Sequence, residues 1–218
     1  DRGGWRGVNG VQFFSRDFEA GGAAAFVPPN ETNQFGLFSL QEYDVGALAL
    51  EVAGRWEHSD VGSNTVGVTR HFNAFTGAAG ASYEIATHTK VGANVSRAER
   101  APSAEELFSN GPHVATQAFE IGDPTLAKEK SWGAEAYFRA ETPDYKFSAT
   151  AFANWFEDYI FQAETGELRD ELPVFQYFQR DARYYGFELS GSATVHRAGD
   201  WKFLVDGVAD AVRATIAD

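Results

Sequence analysis

Between Leu48 and Glu57 apolar and polar side chains change places at nearly every step. Leu48, Leu50, Val52, Gly54 and Trp56 fall on one side, and Ala49, Glu51, Ala53, Arg55 and Glu57 on the other. A period of two is the mark of a β-strand with two unlike faces. The pattern returns at 72–85, 91–96, 132–139, 145–156, 183–195 and 201–211, while 5–17 and 35–43 read as two earlier strands, apolar on both sides. Nowhere does an apolar 3.6-residue pattern run far enough to build a crossover helix, which excludes βαβ architectures. In the strand 145–156, Tyr145, Phe147, Ala149, Ala151, Ala153 and Trp155 share a face, with aromatic rings at its ends and small residues between. A soluble sandwich places its large residues mid-strand, at the core centre. Rings at both ends fit a strand whose middle meets acyl chains and whose ends lie in two interfacial girdles.

The connections add a second regularity. Short ones fall near 44–46, 87–89, 141–144 and 196–200, and longer ones near 18–33, 58–70, 97–130 and 159–174. Long and short alternate along the chain. In an up-and-down meander every second connection lies at the same end, so the elaborate connections gather at one rim and the tight turns at the other. Spanning barrels of the outer membrane have this asymmetry. The expected fold is all-β: an antiparallel up-and-down meander of about nine strands belonging to a larger transmembrane barrel.

Composition narrows the partners. A formal net charge of −13 argues against nucleic acid, whose phosphates call for a basic face. Cysteine is absent, which removes disulfides, thiolate metal sites and a cysteine nucleophile. No run of about eighteen apolar residues is present, so no membrane helix is expected, although strands cross with far fewer. The chain opens in mid-pattern without methionine and closes just after a strand-like run. It reads as one partial barrel domain, 1–218, with a plug and closing C-terminal strands expected elsewhere in a longer parent.

Ser96 to Trp132 is the longest interval without alternation. Loops of this length in compact folds usually carry a function. Pro102-Ser103 followed by Ala104-Glu105-Glu106-Leu107-Phe108 predicts a short helical turn with acids near its start, broken at Asn110-Gly111-Pro112, with a second turn at Gly122-Asp123-Pro124. Ala93-Asn94-Val95-Ser96-Arg97 running into Arg100-Ala101-Pro102-Ser103-Ala104-Glu105-Glu106-Leu107-Phe108 resembles the barrel of TonB-dependent outer-membrane receptors. Ser109 to His113, Gly122-Asp123-Pro124, Leu126-x-x-Glu129-Lys130-Ser131 and the strand Ala151 to Ile160 continue the likeness, which is specific over 70–190. The resemblance implies a barrel of about 22 strands in the bacterial outer membrane, plugged by an N-terminal domain. It also implies active uptake of a scarce nutrient: a metal chelate, siderophore, haem or zinc. The implied partners are outer-membrane lipid, a small nutrient ligand and the TonB energy-coupling complex, reached through the plug. No intrinsic cofactor is implied; a metal or its chelate is cargo. The zinc-receptor type is one possibility within the family.

No catalytic constellation is expected. His58, His71, His88, His113 and His196 are scattered, and none lies in a nucleophile motif. Glu51, Arg55, Glu135, Arg139, Asn154 and Glu188 fall on polar strand faces and are expected to line a wet lumen. Arg97, Arg100, Phe108, His113, Phe119, Glu120 and Asp123 are the expected ligand-binding residues of the outer loops. His113, beside Glu120 and Asp123, is the expected metal contact, and His58 and His71 flank another loop at the same rim. Two alternatives stay open at this point: a soluble extracellular all-β carbohydrate-binding domain, and a passive porin.

Overall fold

The computed structural model describes residues 4–22 and 25–217; Ala23 and Ala24 of the alanine run in the 18–33 connection lie outside the described residues. The first five strands run in sequence: β1 (Trp5–Phe18), β2 (Asn30–Val45), β3 (Leu48–Ser63), β4 (Val68–Ala86) and β5 (Thr89–Arg100). A short helix, α1 (Ala104–Phe108), and a small hairpin, β6 (Asn110–His113) and β7 (Ala118–Ile121), follow. Four long strands complete the chain: β8 (Glu129–Glu141), β9 (Tyr145–Arg169), β10 (Leu172–Ala198) and β11 (Trp201–Ile216). All eleven strands belong to one sheet, nine of them forming the meander β1-β2-β3-β4-β5-β8-β9-β10-β11. The hairpin β6–β7 is the addition: Phe119, Glu120 and Ile121 pair in parallel with Val174, Phe175 and Gln176 of β10. β10 is open there because β11 reaches only as far as Ala182.

The register sorts side chains into two faces. Leu50 opposes Tyr43 and Ala81, Trp56 opposes Leu37 and Phe75, and Val95 opposes Ala79 and Ala134. Trp132 opposes Trp155, and Phe187 opposes Ala151 and Ala211. These residues share one face, and they are not packed into a core: Leu50 is 40% exposed, Phe187 45% and Val52 59%. An apolar face left open across the meander fits acyl chains as its neighbour and contradicts a soluble domain, which would have turned it inward. Trp56 with Phe75 and Trp132 with Trp155 mark the end with the elaborate connections. Trp5 with Tyr43, and Phe138 with Phe147 at 6.0 Å, mark the tight-turn end.

The buried cluster lies on the opposite, polar face and beyond the apolar band. Val61 and Phe72 from the upper ends of β3 and β4 meet Ala104, Leu107 and Phe108 of α1, Leu126 and Ile160. The long connection therefore folds back against the polar face, and the main buried hydrophobic cluster holds it there.

Three expected loops are corrected. The polar stretch 58–70 is strand on both sides of a turn at 64–67. The connection expected near 159–174 is the tip of a hairpin whose two-residue turn, Asp170-Glu171, has φ of 50° and 64°, the geometry that matches strand twist. In the longest connection β5 runs to Arg100 and β8 begins at Glu129; the helix ends before Asn110-Gly111-Pro112 as expected, and that segment opens the strand β6. The rim asymmetry survives in another form, because much of it is made by strands that continue past the apolar band.

Candidate functional site at the upper rim of the polar face

The conspicuous sequence Arg100 to Phe108 is a clip. Ser103 caps α1: its Oγ accepts from Glu106 N at 3.2 Å, and its own N donates to Glu106 Oε2 at 2.7 Å. Arg100 donates to Glu106 Oε2 at 2.8 Å and to Glu129 Oε2 at 3.1 Å, tying the helix to the start of β8. Burial works against that charge, but the two carboxylates more than offset it and raise the guanidinium above its ordinary value. Arg16 of β1 reaches Glu105 Oε1 at 2.9 Å. Burial pushes the Glu105 carboxyl up, yet the backbone N–H in its own turn and Arg16 outweigh this and hold it below the usual range. Gly122 seals the far end of the connection. A Cβ there would stand 2.7 Å from the Leu107 carbonyl carbon, so the backbones touch only because this residue has no side chain.

Beside the clip, β6 and β7 bring His113 and Glu120 together. His113 Nδ1 lies 2.7 Å from Glu120 Oε1, and its ring stacks on Phe26 with centroids 4.0 Å apart. Glu120, only 4% exposed, also accepts from Thr116 Oγ1 at 3.1 Å and Gln162 Nε2 at 2.9 Å. The imidazole is thus fixed in place, and with Nδ1 engaged, Nε2 is the nitrogen left for a ligand. Tyr177 stands opposite Gln162, and burial followed by the nearby Glu120, Glu106 and Glu105 pushes its phenol up to about 12.

An aromatic ladder climbs the same region. Phe156 meets Tyr159 at 5.1 Å and Tyr184 at 5.4 Å; Tyr159 meets Tyr184 at 5.6 Å and stacks on Phe161 at 6.4 Å; Phe161 meets Phe178 at 6.2 Å. Phe156 and Tyr184 fall on the polar face by register, opposite Ala182 and Asn154. All five rings are half-buried. Asp158, with φ of 57°, sits at the irregularity in the β9–β10 register and re-aims the strand between Phe156 and Tyr159. The sequence reading misses this ladder, because Phe161 falls in the expected connection 159–174 and Phe178 in no two-faced stretch. The available signal was aromatic recurrence at 156, 159 and 161 across a break in strict alternation.

The other expected ligand residues fare differently. Phe108 is 3% exposed and packs in the buried cluster, so it is a core residue. Arg97 is corrected from loop to strand: it lies on the apolar face of β5, 5.6 Å over the Trp132 ring and 3.6 Å from Glu157. Arg100 serves the clip. Asp123 does not join His113; its Oδ1 accepts from Thr125 N and Oγ1 at 2.8 and 2.6 Å, closing a turn. Phe119 lies under Arg169 at 5.3 Å. His58 and His71 are strand residues of β3 and β4. Glu51, Arg55, Glu135, Arg139, Asn154 and Glu188 all take the polar face by register. There Arg55 pairs with Glu57, Asn94 donates to Glu135 at 3.4 Å, and Arg139 lies 4.4 Å over Tyr137.

Solved structures share this architecture. The chain is similar to the copper transporter OprC, with 18% identity, a TM-score of 0.69, and coverage of 84% of this chain and 29% of that one. It is similar to a double mutant of the Serratia marcescens hemophore receptor HasR in complex with its hemophore HasA and heme, with 16% identity, a TM-score of 0.72, and coverage of 98% and 39%. The FrpB iron transporter from Neisseria meningitidis, F3-3 variant, matches with 16% identity, a TM-score of 0.61, and coverage of 87% and 27%. At such identities the likeness is one of fold, and the chain spans 27–39% of the length of these structures. Residues 2–216 match the family described as TonB dependent receptor-like, beta-barrel, and with the meander, the open apolar face and the folded-back rim segment they show that the chain belongs to that family of bacterial outer-membrane receptors, which are not enzymes.

Proposed function

We propose that this segment forms wall and rim of a TonB-dependent receptor that takes up a metal chelate of the siderophore or haem class. The observation that carries the reading is the ladder of five half-buried rings along β9 and β10, whose members Phe156 and Tyr184 take the polar face, together with the imidazole that Glu120 pins at the same rim. Ring faces grip planar or catecholic groups, and the His113 Nε2 supplies one directional contact to a metal or an acidic ligand atom. Glu51, Arg55, Glu135, Arg139, Asn154 and Glu188 then line a hydrated lumen below the grip. Nothing in this arrangement requires bond making. Release inward relies on energy coupled through the TonB system and a plug.

The test uses the full-length receptor. Tyr159→Ala and Tyr184→Ala each remove about 1 kcal/mol of ring contact, which corresponds to roughly fivefold weaker chelate binding. Growth on single iron chelates and direct binding to purified receptor both report it. Unchanged uptake of every chelate tried by the double variant would remove the ladder from the binding site.

A further inference from the structure

The strands β3 and β4 carry a second cluster of ligating atoms on the opposite side of the sheet. His58 and Asp60 are two residues apart on β3, and His71 of β4 stands directly opposite Asp60 in the register, while His58 stands opposite Asn73. This is the face of Leu50, Val52, Trp56 and Phe75, one step beyond the Trp56–Phe75 pair that closes the apolar band. The cluster therefore points away from the polar side. It is unrelated to the ladder and does not rest on the cargo reading.

The geometry is that of a three-ligand site. The ligand atoms of His58, Asp60 and His71 all lie within 4.8 Å of one another. His58 Nε2 is 3.2 Å from Asp60 Oδ1, and His71 Nδ1 is 2.5 Å from the same oxygen. Tetrahedral ligands at about 2 Å from a zinc ion stand roughly 3.3 Å apart, so His58 and Asp60 already have that spacing. His71, on an exposed side chain, reaches it by a small rotation. The shell behind the ligands is also in place. Asn73 Oδ1 lies 3.2 Å from His58 Nδ1, within hydrogen-bonding distance. The His58 ring is held at 26° to Trp56, which in turn meets Phe35 edge-on at 6.1 Å. With Nδ1 turned to Asn73, Nε2 is the nitrogen that faces the Asp60 carboxylate, so a cation between them meets a ligand atom from each side.

We propose that His58, Asp60 and His71 bind a divalent transition-metal ion of the zinc class on the outer wall of the barrel, at the level just beyond the interfacial aromatic girdle, with water in the remaining coordination position. Two imidazoles and one carboxylate select such an ion over magnesium or calcium, which favour all-oxygen shells. The ion links β3 to β4 where both strands rise out of the apolar band.

The experiment uses the full-length receptor in detergent, in a His113→Ala background so that metal at the inner rim does not contribute. Zinc binding by equilibrium dialysis and the visible spectrum of the cobalt-substituted protein are the readouts. The His113→Ala receptor is expected to bind one zinc ion and to give the intense absorption of tetrahedral cobalt. Adding Asp60→Asn or His71→Gln is expected to weaken zinc at least about tenfold and abolish that spectrum, and Asn73→Leu to weaken it about 10- to 100-fold with the spectrum retained. His71 is exposed, so its substitution leaves folding intact, which heat-dependent gel migration verifies. A His113→Ala receptor that binds no zinc, or zinc binding unmoved by Asp60→Asn and His71→Gln, overturns the proposal. Loss of zinc on His113→Ala alone would assign the metal to the inner rim instead.

Discussion

Arg100 shows how a residue type misleads when read alone. An arginine beside a helix turn in a long outer connection suggests a grip on an anionic chelate, yet its two forks are spent on Glu106 and Glu129. Phe108 is the same case in apolar form: an aromatic in the loop becomes a core residue once Leu107, Leu126 and Ile160 close around it. A side chain's chemistry is legible in sequence, but the direction it faces is set by packing partners far along the chain. His113 and Glu120 were legible as a pair because seven residues and a turn bring them together locally. Arg100→Lys tests the clip. A single ammonium replaces a planar fork that spans two carboxylates, and with solvent screening allowed for, the loss is about 1–2 kcal/mol. The expected result is faster protease cleavage within 101–128 of the full-length receptor. Cleavage at the wild-type rate would mean that Arg100 does not hold the segment down.

Among elements, α1 was readable to the residue and the extended hairpins were not. The helix carries its own local instructions, a proline, a capping serine and a glutamate three residues on, so nothing distant is needed to place it. β9 and β10 run for 25 and 27 residues, roughly 80–90 Å of strand, far more than the ~10 residues that cross a bilayer. Above the membrane their faces no longer contrast lipid with lumen, so the two-residue hydropathy pattern fades although pairing continues. That is why 58–70 and 159–174 look like loops: alternation reports the solvents on the two sides, and not the strand itself. The same logic hid β6–β7, each only four residues long. The clip also has an acid limit. Glu105 titrates below its unfolded value, so its contribution is complete above about pH 5 and is lost as pH falls through the lower, folded value. Ser103→Ala removes the cap at a cost of about 1 kcal/mol and is expected to shift that loss to milder acid. Protease sensitivity of the segment against pH reads both effects; an acid profile identical in the variant would show that the helix is held by packing alone.

At the scale of the whole molecule, this sheet is organised by the reverse of the rule for soluble domains. Its large apolar residues are open across the meander, and its buried cluster sits on the polar side under the folded-back segment. Both halves of that arrangement follow from a solvent that changes along the strand axis: hydrocarbon beside Leu50, Val52, Ala149 and Phe187, water around the rim. The meander and its facing were legible in sequence because seven of the nine meander strands repeat the same contrast. Two neighbouring residues on β9 turn this into a decisive measurement. Ala149 lies on the apolar face, opposite Phe138 and Leu189; Thr150 lies on the polar face, opposite Tyr137 and Glu188. Ala149→Arg puts a guanidinium into hydrocarbon near the middle of the apolar stretch 145–155 at a cost of about 2–4 kcal/mol, whereas Thr150→Arg meets water and the Glu188 carboxylate. In the full-length receptor the first substitution is expected to cut the heat-modifiable, folded fraction in outer membranes severalfold, and the second to leave it near wild type. The opposite ranking would mean that the apolar face looks inward, and would undo the barrel wall as described.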